Sequence, residues 1–152
     1  MLTIGEKATK FTLKNQVGED ITLDDYIGKK VVIYFYPKDD TPGCTTESIG
    51  FSEKIDEFEK QNTVILGVSA DSVESHVKFC NKHNLKVELL SDPEKKMITA
   101  YGAWQEKNMY GKKYMGIARS TYLINEKGVV QNYWPKVKVN GHVDAVMEAL
   151  NA

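Results

Sequence analysis

Six consecutive apolar residues, Val31-Val32-Ile33-Tyr34-Phe35-Tyr36, constrain this chain more than any other feature. A β-rich run without alternation is a strand covered on both faces, so helices must lie above and below its sheet. Pro37 closes the run. A polar loop, Lys38-Asp39-Asp40-Thr41-Pro42-Gly43, then leads to Phe51, Ile55 and Phe58, spaced i, i+4, i+7. That spacing predicts an amphipathic helix from about Cys44 to about Lys60. Asn62 leads into a second apolar stretch, Thr63-Val64-Ile65-Leu66-Gly67-Val68-Ser69. Strand, helix and strand in this order make a βαβ unit with parallel pairing and a right-handed crossover.

The remaining segments fit around that unit. Phe11-Thr12-Leu13 and Ile21-Thr22-Leu23 alternate about Gly18 and predict an N-terminal hairpin. Asp71 or Ser72 can cap a helix that carries Val73, Val77 and Cys80 on one face. Val87-Glu88-Leu89-Leu90 is a short strand, and Asp92-Pro93-Glu94 starts a helix ending near Tyr101-Gly102. Trp104 to Tyr110 read as a loop, with Trp104 and Trp134 as exposed aromatics. Ser120–Ile124 and Val129 to Tyr133 flank Asn125-Glu126-Lys127-Gly128, a strong antiparallel hairpin signal. A final helix runs from about Val143 to Leu150. No repeat or linker interrupts the 152 residues, which make one domain. A βαβ half followed by a ββα half, with inserted helices and an N-terminal hairpin, is an α/β thioredoxin-like plan.

Composition narrows the function. Lys+Arg total 20 and Asp+Glu 21, a net charge of -1 that offers no footprint for nucleic acid or an anionic membrane. No apolar stretch is long enough for a membrane span, and the N-terminus lacks the pattern of a secretory signal. The expected compartment is the cytoplasm, where a permanent disulfide is not expected. The two cysteines, Cys44 and Cys80, are too few for a disulfide framework or a four-cysteine zinc site. His76, Cys80 and His83 share a helix face but lack an obvious fourth ligand, so no metal is expected. Lys38 and Lys112-Lys113 read as solvated surface, and His142 as a polar residue near a cap.

Cys44 stands apart. It follows a Pro-Gly turn at a strand-to-helix junction, where unpaired amides and the positive end of the helix favour a thiolate. Thr41, three residues upstream, can supply a hydroxyl. The alternative, a small residue chosen for packing, leaves these neighbours unexplained.

The pattern Pro37-Lys38-Asp39-Asp40-Thr41-Pro42-Gly43-Cys44-Thr45-Thr46-Glu47, with Gly116-Ile117-Ala118-Arg119-Ser120-Thr121-Tyr122 later, resembles the peroxiredoxins, most closely the bacterioferritin comigratory protein or peroxiredoxin Q subfamily. The resemblance covers essentially the whole chain. It implies a thiol-dependent peroxidase acting on hydrogen peroxide and organic hydroperoxides without metal, flavin or haem. Cys44 would be the peroxidatic cysteine, oxidised to a sulfenic acid. Thr41 would orient the peroxide, and Arg119 would stabilise the thiolate and the charge that develops. Amides of Gly43 and Cys44 would complete the pocket, Pro37 would shield it, and Glu47 would partner the arginine. Many relatives carry a second cysteine five residues after the first; Ile49 occupies that position here. The resemblance therefore allows Cys80 as the resolving residue in a Cys44–Cys80 disulfide, with a thioredoxin-type reductant and a monomeric protein. Cys80 as a buried core residue, with a one-cysteine cycle using an external thiol, stays open. So does a non-enzymatic redox sensor. A dithiol reductase is disfavoured, because no cysteine lies two residues beyond Cys44.

Overall fold

The 31–36 run forms the strand at the middle of the molecule. The computed structural model describes residues 2–151. Nine strands are β1 (Thr12–Asn15), β2 (Asp20–Thr22), β3 (Lys30–Phe35), β4 (Thr63–Ser69), β5 (Glu88–Ser91), β6 (Trp104–Met109), β7 (Lys112–Ile117), β8 (Ser120–Ile124) and β9 (Val130–Trp134). Five helices are α1 (Pro42–Glu53), α2 (Ile55–Lys60), α3 (Val73–His83), α4 (Lys96–Ala100) and α5 (His142–Leu150). Seven strands form one sheet in the order β2-β1-β5-β4-β3-β8-β9. β3 pairs in parallel with β4 and antiparallel with β8, so the expected βαβ unit and C-terminal hairpin meet at one strand.

Alternation along β3 divides the core. Val31, Ile33 and Phe35 join Leu66, Val68, Tyr122 and Ile98 on one face. Val32, Tyr34 and Tyr36 join Phe51 of α1, Phe58 of α2, Phe79 of α3 and Val146 of α5 on the other. Both faces are buried because helices cover both, which is why the sequence shows no polar alternation there. Cys44 belongs to the second layer.

Several expectations need correction. The helix expected from Cys44 to Lys60 begins two residues earlier and is divided at Lys54, which leaves helical geometry (φ -99°, ψ 6°). The Phe51 and Phe58 spacing survives because Phe58 N–H still bonds to the Lys54 carbonyl. The Val73-Val77-Cys80 stripe faces the core only at its edge, through Cys80. α3 buries His76 and Phe79 instead, leaving Val77 exposed and Cys80 half-buried. A buried histidine satisfied by hydrogen bonds escapes a reading based on apolar spacing alone. The helix expected at Asp92 starts only at Lys96, after Lys95 takes a left-handed φ of 60°. Asp92 caps it from a distance, accepting the amides of Lys96 and Ile98. The segment from Trp104 to Tyr110 is mostly strand: β6 pairs with β7 in a separate two-stranded hairpin. Trp104 and Trp134 are partly buried rather than exposed. The β6–β7 hairpin carries four exposed apolar residues, Met109, Tyr110, Tyr114 and Met115, while Ile4, Val17, Ile27 and Val77 are exposed elsewhere.

Candidate active site

Thr41 is extended (φ -99°, ψ 155°) and Pro42 occupies the first helical position, which suits its fixed φ and missing N–H. Cys44 is therefore in the first turn of α1, not at its first residue. The first helical bond runs from Thr45 N–H to the Thr41 carbonyl. The amides of Gly43 and Cys44 precede it and have no intrahelical acceptor. Thr41 does not cap them; its hydroxyl donates to the Lys38 carbonyl at 2.9 Å. That bond leaves the Thr41 oxygen with acceptor capacity. The turn thus presents two free amides and one hydroxyl oxygen beside a buried sulfur.

The chain supplies the cation from the start of β8, the strand beside β3. Arg119 stands between β7 and β8. Its Nη2 donates to Cys44 Sγ at 3.3 Å, and its Nη1 donates to Glu47 Oε1 at 2.8 Å. The segment after β9 holds this arginine's backbone, with Val137 N–H bonded to the Arg119 carbonyl. Gly43 permits the approach: a Cβ there would lie 3.0 Å from Arg119 Nη2. Burial works against the guanidinium charge, but Cys44 and Glu47 outweigh it and hold Arg119 charged above its ordinary range. Glu47, one helical turn beyond Cys44, is buried, and burial pushes its carboxyl up to about 7 against the pull of Arg119. Lys107 of β6 adds a second cation within electrostatic reach of Arg119 and Cys44. Burial and Arg119 lower its pKa, and Cys44 opposes them.

A peroxidatic thiol needs this arrangement: a sulfur at a helix start, facing a guanidinium and unpaired donors where charge develops. The AhpC/TSA family model matches residues 4–133. Peroxiredoxin Bcp of Bacillus subtilis is 48% identical over 149 residues, covering 98% of this chain and 95% of that protein. The chain is a peroxiredoxin of the AhpC/TSA family. Among solved structures, bacterioferritin comigratory protein of Xanthomonas campestris, described for alkyl peroxide reduction, superposes with a TM-score of 0.89 at 47% identity. That match covers 93% of this chain and 90% of the other. Peroxiredoxin Q of Xylella fastidiosa gives a TM-score of 0.94 at 37% identity, covering 99% and 96%. Like these relatives, this peroxiredoxin has a thioredoxin-like fold and is a thiol peroxidase.

The other expected residues are placed as follows. Pro37 is exposed, two residues after the end of β3. Ile49 is half-buried. Cys80 is half-buried against the same core layer as Cys44, and both cysteines are free thiols. Burial, helped by Asp39, pushes the Cys80 thiol up to about 11. His76 and His83 do not converge with it. His76 Nδ1 meets Asp39 at 2.7 Å, and His83 Nε2 meets Asp40 at 2.8 Å.

Sequence reasoning missed what those contacts do. Asp39 accepts Tyr36 Oη at 2.6 Å and Ser75 Oγ at 2.8 Å as well as His76. Asp40, in a left-handed turn (φ 58°), also accepts Lys82 Nζ at 2.7 Å. Two adjacent loop aspartates thus pin the segment before Thr41 to the helix that carries Cys80. The only sequence signal was the Asp-Asp pair itself. His142, expected as a polar residue near a cap, directly follows the N-cap Gly141 of α5 and is also buried. It bonds Thr121 Oγ1 at 2.8 Å and lies edge-on to Phe51 and Trp134.

Proposed function

We propose that Cys44 is the peroxidatic residue and that its neighbours divide the work of breaking an O–O bond. The thiolate attacks the terminal oxygen of a hydroperoxide, an S–O bond forms, and water or an alcohol leaves. Arg119 holds negative charge on the sulfur and then on the departing oxygen. The Gly43 and Cys44 amides receive the peroxide oxygens, and the Thr41 oxygen accepts the peroxide hydrogen. Glu47 orients Arg119, and Pro37 borders the mouth of the site. The observation that carries this reading is Arg119 Nη2 at 3.3 Å from a sulfur in the first turn of α1.

Cys80 is the proposed resolving residue. In two Xanthomonas campestris peroxiredoxin Q structures, two cysteines with the separation of Cys44 and Cys80 were each replaced by serine. Held up at about 11, the folded Cys80 thiol is a poor nucleophile. Because Asp39 and Asp40 tie the loop before Thr41 to α3, in this reading α3 opens at resolution, releasing those contacts and returning Cys80 to an ordinary thiol environment. A thioredoxin-type dithiol reduces the resulting disulfide, and the protein acts as a monomer in the cytoplasm.

Multiple-turnover peroxide consumption with a thioredoxin system tests the cycle. It is expected in wild type and absent in Cys44→Ser. Peptide mapping after one equivalent of peroxide is expected to find a Cys44–Cys80 bond. Oxidised Cys44 beside free Cys80 would assign a one-cysteine cycle. A single stoichiometric oxidation without turnover would favour a redox sensor.

A further inference from the structure

One guanidinium in this site serves two acids. Arg119 meets Cys44 Sγ through Nη2 and Glu47 Oε1 through Nη1. Glu47 is 1% exposed, and its second oxygen, Oε2, has no hydrogen-bond partner among the described residues. A buried carboxylate oxygen without a donor costs far more than a neutral carboxyl oxygen in the same place. The groups around the pair do not relieve it. Tyr34 of β3 stays neutral, because burial raises its phenol well above its ordinary value. Lys107 of β6 and His142 of α5 act on Arg119 rather than on Glu47. Two potential anions therefore share one cation, and their protonation is coupled through it.

We propose that Glu47 stores the proton of the peroxidase cycle: it is protonated while Cys44 is a thiolate and gives that proton up when the sulfur becomes a sulfenic acid. This rests on Cys44 being the peroxidatic residue. The balance closes within the protein. The thiolate forms an S–O bond, the O–O bond breaks, and the sulfenic acid keeps the hydroperoxide hydrogen while an alkoxide leaves. Loss of charge at sulfur frees Arg119 for Glu47, which ionises, so that the proton it releases balances the one the alkoxide takes up. Glu47 carboxylic acid, Cys44 thiolate and hydroperoxide become Glu47 carboxylate, Cys44 sulfenic acid and alcohol, with no net proton drawn from solvent. When a dithiol reductant restores the Cys44 thiol, its proton returns to Glu47. A carboxyl held near 7 is suited to such an exchange at neutral pH. Glu47 acts through Arg119 and is a positioning residue, not one that touches the reacting atoms.

The test counts protons. Reduced protein in weak buffer with a pH indicator is mixed with one equivalent of hydrogen peroxide. The ultraviolet absorbance of the thiolate confirms that Cys44 is ionised at the start. Without proton storage, each sulfur oxidised takes up about one proton from solvent. If the carboxyl pKa falls by one unit on oxidation, centred on the working pH, about half a proton is released internally. Wild type is therefore expected to take up about half a proton or less, and Glu47→Gln about one. Equal uptake by both, with Cys44 oxidised in both, overturns proton storage and leaves the peroxidase reading intact. Failure of peroxide to oxidise Cys44 in wild type overturns both. Should Glu47→Gln not fold, infrared difference spectra of wild type decide. A protonated carboxyl band lost on oxidation is expected, and its absence from the reduced protein refutes the proposal.

Discussion

Replacing Gly43 by alanine should raise stability and lower activity together. Gly43 is the second residue of α1, in helical geometry. Alanine there gains up to about 1 kcal/mol by reducing the freedom of the unfolded chain. The new Cβ, however, would stand 3.0 Å from Arg119 Nη2 and 3.6 Å from its Cζ. Contact at ordinary distance requires the guanidinium to retreat by about 0.5 Å. It cannot swing away freely, because Nη1 is tied to buried Glu47 at 2.8 Å. At the present 3.3 Å from sulfur, a unit-charge pair in an effective dielectric of about 20 is worth about 5 kcal/mol. Retreat by about 0.5 Å lowers that by about 0.7 kcal/mol. Poorer alignment of a charge-assisted N–H···S bond adds a comparable loss, so about 1–2 kcal/mol of transition-state stabilisation disappears. Stopped-flow measurement of Cys44 oxidation should show a rate about 5- to 30-fold lower, while the urea midpoint rises or stays level. An unchanged rate would refute the claim that Gly43 exists to admit Arg119. A rate loss matched by a fall in the urea midpoint would mean the helix start itself was damaged.

Two buried groups should tilt stability in opposite directions with pH. Burial, then Arg119, hold His142 down at about 4 from an ordinary 6.5; its contribution to stability is lost as pH falls through that window. Glu47 binds its proton more tightly when folded, at about 7 against an ordinary 4.5, so stability falls as pH rises through that window. Each shift amounts to about 3 kcal/mol, and the two offset each other where the windows overlap. Urea unfolding across this range should show stability rising with pH in Glu47→Gln relative to wild type and falling in His142→Gln; parallel curves would refute both assignments. Asp39→Ala leaves Tyr36 Oη, Ser75 Oγ and His76 Nδ1 without their acceptor and should cost about 3 kcal/mol in urea unfolding. A loss below about 1 kcal/mol would show that the loop is not held through this residue.

Local pattern made much of this protein legible. The apolar run at 31–36, the spacing of Phe51 and Phe58, and the turn at Asn125–Gly128 report secondary structure because strand and helix periods are written over a few adjacent residues. Pro42 and Gly43 likewise announce a helix start, so the position of Cys44 needed no tertiary information. Arg119, 75 residues further along, was legible only through family resemblance; its contact with sulfur depends on β8 lying beside β3. The same limit hid the face of α3. Its apolar spacing named Val77, whereas the buried position belongs to His76, whose two ring nitrogens meet Asp39 and the Leu90 carbonyl. Polar burial depends on partners brought from other elements, and no periodicity encodes them. The strand character of 104–109 emerged only from pairing with β7, since that hairpin is half-exposed and lacks a clean alternation. The sequence by itself therefore determined a βαβ core and a cysteine at a helix N-terminus. The link of one arginine to both Cys44 and Glu47, which the resemblance only implied, was decided by tertiary structure, because Arg119 precedes β8 and only the folded sheet brings it within 3.3 Å of the first turn of α1.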